Sequence, residues 1–148
     1  MQNLLKIGQL KEHPPDAAEV QWLVAAAARN LADARVTTIS PETRFDAAYK
    51  AVMQAALAAL MAHGYRPDTN RPGHHATVVQ GLTLTIGLAS ARVTVLDTLR
   101  RKRNLSDYTG EDIDDSSVEH CIIEADLLLR DVTAWLKAHR PQLMVPQN

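Results

Sequence analysis

The hydrophobic positions of this chain recur mostly at helical spacing. Val20, Leu23, Val24, Ala27, Leu31 and Ala34 repeat every three or four residues, which predicts a helix over about 16 to 35. Asp16 stands three residues before Glu19, the arrangement of a capping box with Asp in the cap position. Ser40-Pro41-Glu42 opens a second helix with a capping hydroxyl, a proline suited to the first helical position and an acid that complements the helix dipole. Its inward stripe is Phe45, Ala48, Tyr49, Val52, Ala56, Ala59 and Leu60, and Gly64 is placed to end it as a left-handed cap. A last helix is expected to begin at Ser116, with Glu119 completing a capping box, and to run through Val118, Cys121, Ile122, Ala125, Leu128, Leu129, Val132, Trp135 and Leu136 until Pro141 stops it.

Three stretches are less regular. Leu4, Leu5, Ile7 and Leu10 fit a short helix over 2 to 12 that Pro14-Pro15 ends and that must dock on the rest to persist. Tyr65 to Gly73 reads as a loop rich in proline, glycine, aspartate and asparagine. Within Ala76 to Leu88, Leu82-Thr83-Leu84-Thr85-Ile86 alternates like a strand. The chain offers no second strand to pair with it, and an isolated strand is untenable, so helix is expected there. Val93, Leu96 and Leu99 face inward from a further helix over about 89 to 104, followed by a turn at Tyr108-Thr109-Gly110. The expected fold class is all-α, an antiparallel up-and-down bundle of five or six helices in one domain. Within it, 1–15 is a docking helix, 16–139 the bundle core and 141–148 a short tail.

Composition sharpens this picture in a few places. At 148 residues the chain can build one real core, burying about 70% of its unfolded surface. Aromatic residues are only 4% and alanine is abundant, so helices should approach closely. A formal net charge of -1 excludes wholesale electrostatic attraction to nucleic acid or membrane and leaves any anion binding to a local patch. Cys121 is the sole cysteine, which excludes an intramolecular disulfide, and its apolar helical setting predicts a buried structural thiol suited to a reducing cytosol. Lys6, Gln9, Lys11 and Glu12 break up Met1 to Pro15, unlike a signal peptide, and no run reaches the roughly 18 apolar residues of a membrane span. The expectation is a cytoplasmic protein with no membrane partner.

The densest chemistry lies at Arg100-Arg101-Lys102-Arg103-Asn104-Leu105-Ser106-Asp107-Tyr108. Its cations are placed to crowd the last turn of the helix over 89 to 104, where positive charge suits the dipole's negative end. Arginine can clamp a phosphate through two nitrogens, Asn104 and Ser106 can bond ribose or phosphate oxygens, and Tyr108 can stack or donate. The plainer alternative is a solvated helix end that neutralises Glu111, Asp112, Asp114 and Asp115. His74-His75 is the second candidate. Adjacent helical residues point about 100° apart, and no Cys or carboxylate stands at ligand spacing, so no metal is expected and one imidazole is expected to cap or pack at a helix start. His120-Cys121 cannot face each other on a helix, and Glu42, Asp46 and Lys50 are expected to form a solvated ion-pair stripe. Trp22 and Trp135 are expected as core or interface anchors. Gly81 and Gly87 lack the companions of a phosphate-binding loop, and no cofactor is implied.

Taken together, Leu31-Ala32-Asp33-Ala34-Arg35, Ser40 through Ala51, Gly64-Tyr65-Arg66-Pro67, Gly73-His74-His75 and Arg101 through Tyr108 resemble the bacterial branch of the HEPN superfamily. These are helical bundles named for nucleotide binding in higher eukaryotes and prokaryotes, and the resemblance covers about 16 to 138. In many members an Arg, a polar residue and a His a few positions later form a metal-independent RNA-cleaving site, often across a homodimer and often in toxin–antitoxin pairs. Arg103-Asn104 resembles the start of that motif. Where the His would stand are Tyr108, Thr109 and Gly110, and a register from Arg101 offers Ser106, Asp107 and Tyr108. Neither tyrosine nor serine replaces a base poised near neutral pH.

The resemblance therefore implies a homodimeric, non-catalytic binding or regulatory module for RNA, a nucleotide or a cognate partner protein. Its ligand-binding residues would be Arg100, Arg101, Arg103, Asn104, Ser106 and Tyr108. The alternative is a metal-independent endoribonuclease whose catalytic residues are Arg103 and a His brought from elsewhere, His74 or His75. A third reading is a structural scaffold. An imidazole close to Arg103 in the fold would favour the enzyme.

Overall fold

The computed structural model describes residues 9–70, 73–109 and 112–146, and their side chains apart from those of 106–109. The first helix, α1 (Ala17–Ala34), starts where Asp16 accepts a hydrogen bond from the Glu19 N–H at 3.1 Å. The Glu19 carboxylate does not return to close the box and meets Nε2 of His13 at 3.1 Å. α2 (Pro41–Ala62) is capped by Ser40, which accepts from the Thr43 N–H at 3.2 Å, and ends through Gly64 at φ 88°. Only glycine adopts that backbone freely, and its N–H satisfies the Met61 carbonyl at 3.0 Å.

α2 is the hub. Phe45, Ala48, Tyr49, Val52, Ala55, Ala56, Ala59 and Leu60 are all buried, and the helix touches every other helix of the described fold. Its alanines let α1 lie against it along most of its length, the most extensive interface in the molecule. The next largest joins α2 to α6 (Asp115–His139), whose buried stripe is Val118, Cys121, Ile122, Ala125, Leu128, Val132 and Leu136. The cap of α6 lies earlier than expected. Asp114, not Ser116, accepts from the Ser117 N–H at 3.0 Å, and the Ser116 hydroxyl donates to the other Asp114 oxygen at 3.2 Å. Beyond Pro141 the chain makes a 3-10 turn, held to α1 because the Gln21 amide donates to the Leu143 carbonyl at 2.9 Å.

The amino-terminal segment departs from the helical expectation. Residues 1–8 lie outside the described residues, and Leu10–Glu12 form β1, paired antiparallel with β2 (Tyr65–Pro67) in the register Leu10 to Pro67 and Glu12 to Tyr65. Pro14 biases His13 toward extended backbone, and the chain leaving Gly64 runs alongside it. The His13 N–H donates to the Gly64 carbonyl at 2.8 Å, and Leu10 enters the core at 2% exposure. So small a ribbon persists only because it is anchored in this way.

Between Gly73 and Thr85 the chain is helical, as expected, but divided at Gly81 into α3 (His74–Gln80) and α4 (Leu82–Thr85); the helix expected to reach Leu88 stops short, and Gly87 turns the chain at φ 69°. α5 (Ser90–Thr109) is longer than its apolar stripe predicted. No glycine or proline interrupts it before Gly110, so Asn104, Leu105 and the following residues continue the helix and do not form a turn. The four cations consequently stand inside the helix, beyond the reach of the dipole effect that the last turn would have offered. The observed fold is thus mostly helical with one small ribbon, and no described helix is long and apolar enough to cross a membrane.

Candidate functional site

Packing of α5 and α3 against α2 builds a polar cluster on the amino-terminal half of α2. Asp46 and Tyr49 lie one turn apart on α2, and Asp97, Arg100 and Arg103 recur every third residue on α5. Arg103 places its guanidinium carbon 5.1 Å from the centre of the Tyr49 ring, a cation–π contact, and its Nε 3.4 Å from Oδ1 of Asp46. On the other side, the Tyr49 hydroxyl lies 3.2 Å from Nδ1 of His75, at the start of α3. The two rings are 6.2 Å apart, and the His74 ring meets His75 edge-on at 4.6 Å. One aromatic residue therefore connects an imidazole to a guanidinium from two other helices.

The electrostatics follow from burial. Burial raises the Tyr49 hydroxyl above its ordinary range, opposed in part by the positive charge of Arg103 and Arg100. Burial likewise lowers His75, and the neighbouring His74, Arg103 and Arg100 push it the same way. Near neutral pH the pair is a protonated phenol beside a neutral imidazole. With the phenol donating to Nδ1, His75 carries its proton on Nε2; with Nδ1 donating to the phenol, Nε2 is a free base.

Among the expected ligand-binding residues whose side chains are described, Arg103 alone contacts Tyr49 and Asp46. Arg100 donates through Nε to Asp97 at 2.8 Å, with both side chains largely buried, and Arg101 shares the same carboxylate at 3.0 Å while remaining 71% exposed. Asn104 is half-buried on α5, and the side chains of Ser106 and Tyr108 lie outside those described. His74 and His75 are brought to the cluster although they are distant from it in sequence. Lys102 reaches Asp114 at 4.0 Å, the one described ion pair between the basic run and the acidic loop. The basic run is instead neutralised mainly by Asp97 and Asp46, so Asp46 leaves the expected Glu42–Lys50 stripe.

Tyr49, Asp46 and Asp97 were not predicted as site residues. Asp97 was legible as an i,i+3 and i,i+4 partner of Arg100 and Arg101; Tyr49 was legible only as a core position. Other candidates separate cleanly. Cys121 is buried, with its thiol pushed up to about 12, which leaves it inert near neutral pH. His120 faces Glu124 at 3.8 Å and does not engage Cys121. Trp135 is stacked between His63 and His139, each at 4.8 Å, whereas Trp22 is 60% exposed. Among the described residues no group of three or more His, Cys, Asp or Glu gathers where it could hold a metal ion. No family model and no curated protein sequence matches this chain.

Proposed function

We propose that the chain is a HEPN-like module that binds the phosphate of RNA or a nucleotide at Arg103, with Tyr49 and His75 completing the site. The observation that carries this reading is the contact of both Arg103 and His75 with the same buried tyrosine. Arg103 is held over the Tyr49 ring, so its planar fork is positioned before a ligand arrives and less side-chain entropy is lost on binding. An incoming phosphate displaces Asp46, a 54% exposed carboxylate whose hold on Arg103 is correspondingly screened. His75 Nε2 then donates to, or accepts from, the ligand according to its tautomer.

The location of His75 also favours a second reading, a metal-independent endoribonuclease. Arg103 would stabilise the developing charge on the scissile phosphate, and neutral His75 would take the proton of the attacking ribose 2′-hydroxyl. The 2′-oxygen would then form a bond to phosphorus as the P–O5′ bond breaks and the leaving 5′-oxygen takes a proton from water, giving a cyclic phosphate while His75 returns its proton to solvent. Incubating labelled RNA with the protein, without metal, and measuring binding and cleavage separates the two. Salt-sensitive binding without cleavage, lost in Arg103→Ala, supports the module. Cleavage abolished in both Arg103→Ala and His75→Asn supports the nuclease. Binding of neither kind refutes both and leaves a scaffold.

A further inference from the structure

A second surface on the same side of α2 carries unpartnered charge. Arg29 on α1 and Lys50 on α2 are exposed and have no carboxylate partner among the described residues, although Asp33 lines the same hollow. That hollow, of about 370 Å³, has the hydrogen-bonded side chains of Asn30 and Gln54 among its lining residues, donor to acceptor 2.7 Å, and ends at exposed Trp22. Trp22 also overhangs an apolar hollow of about 420 Å³ that includes Leu57. Gln54 and Leu57 both continue into a third hollow, of about 220 Å³, bordered by His74 and His75. Trp22, Leu57 and Gln54 each line two of the three hollows, which therefore adjoin as a groove from an exposed indole, past Arg29 and Lys50, to the imidazoles of the Arg103 cluster.

We infer that this groove is a binding track for single-stranded RNA, in which a base stacks on Trp22 and Arg29 and Lys50 contact successive backbone phosphates on the way to His75. Single strands are recognised by this combination because every base has a face to stack and every nucleotide a charge to neutralise. A duplex would not fit it, since paired bases keep their faces covered. The inference rests on the phosphate-binding reading of Arg103 and extends that site to several nucleotides. Charge favours RNA over a second copy of the chain: between two apolar ends the groove has a polar middle where Arg29 and Lys50 outnumber Asp33, an excess that attracts an anionic strand and would oppose the same cations of a symmetry mate.

The chain has two tryptophans, so Trp135→Phe leaves Trp22 as the sole indole reporter. Titrating this variant with a single-stranded RNA of about ten nucleotides should quench Trp22 emission, since bases stack on the ring. By anisotropy of the labelled RNA, Trp22→Ala should weaken binding about tenfold and Trp22→Phe restore most of it. The Arg29→Ser, Lys50→Ser pair should lower the salt slope by about 1.4, the value for two phosphates on a single strand. An unchanged affinity in Trp22→Ala together with an unchanged salt slope overturns the track, and with Arg103→Ala still deleterious it leaves the phosphate site standing. Quenching by RNA that survives Arg103→Ala in full refutes the phosphate site but not the stacking and cation contacts. Trp22 emission that shifts with protein concentration, without RNA, assigns the surface to a second copy and also overturns the track.

Discussion

Arg100, Arg101, Lys102 and Arg103 on α5 each lie within 4.0 Å of an aspartate, whereas Arg29 on α1 and Lys50 on α2 have no such partner among the described residues. The two regions are alike in chemistry and opposite in wiring. A continuous run of cations must place some of them against the protein, where each needs a counter-charge; Asp97 and Asp46 supply it. Two isolated cations on neighbouring helices stay in water and need none. Density of charge along a sequence therefore does not report how much charge a surface offers to a ligand.

The largest way to test this contrast is to remove Asp97. Arg100 would be left largely buried beside no carboxylate, and Asp97→Ala should cost about 2 kcal/mol in urea unfolding, below the full cost of orphaning a deeply buried charge because both groups retain some solvent. The paired Arg29→Ser and Lys50→Ser changes should stay within about 0.5 kcal/mol of the parent. Equal losses in the two regions would erase the distinction. Next in size, Tyr49→Phe removes the buried hydroxyl facing His75 and should cost about 1 kcal/mol, with the cation–π contact to Arg103 retained.

A smaller effect comes from pH. Burial holds both His75 and His63 below the ordinary histidine range in the folded chain, so the unfolded chain binds protons first as pH falls. Stability is complete above about pH 6.5 and declines as the solution is acidified through the window between the unfolded and folded values. Thermal melting at about pH 7.5 and about pH 5.5 should show the loss, and His75→Asn should reduce it. The smallest expected change is a gain: Asp46→Asn removes one exposed negative charge from beside Arg103 and should tighten oligonucleotide binding about threefold. Weaker binding in that variant would mean that Asp46 orients Arg103 for its ligand.

Much of the framework could be read along the chain because the signals for it are local. The caps at Asp16 and Ser40, the left-handed Gly64 and the inward stripes of α1, α2 and α6 each depend on residues within a turn or two of one another. Where the signal was weaker, the reading slipped by two residues, as at Asp114 rather than Ser116, or by a whole element, as at β1. The pairing of Leu10–Glu12 with Tyr65–Pro67 depends on a partner more than fifty positions away, which no periodicity records.

The same division runs through the site. Residue types and helical spacing alone determined a chain of packed, alanine-lined helices with a basic run at Arg100 to Arg103 and a histidine pair at His74-His75 near a helix start. Only the tertiary structure decided that Tyr49 stands between them, that Asp97 and Asp46 absorb most of the basic run, and that Arg29, Lys50 and Trp22 share one groove. The physical reason is that a cap or a stripe is satisfied by neighbours along one helix. Contacts between charges, rings and hydrogen-bonding groups are instead set by which helices α2 gathers around itself.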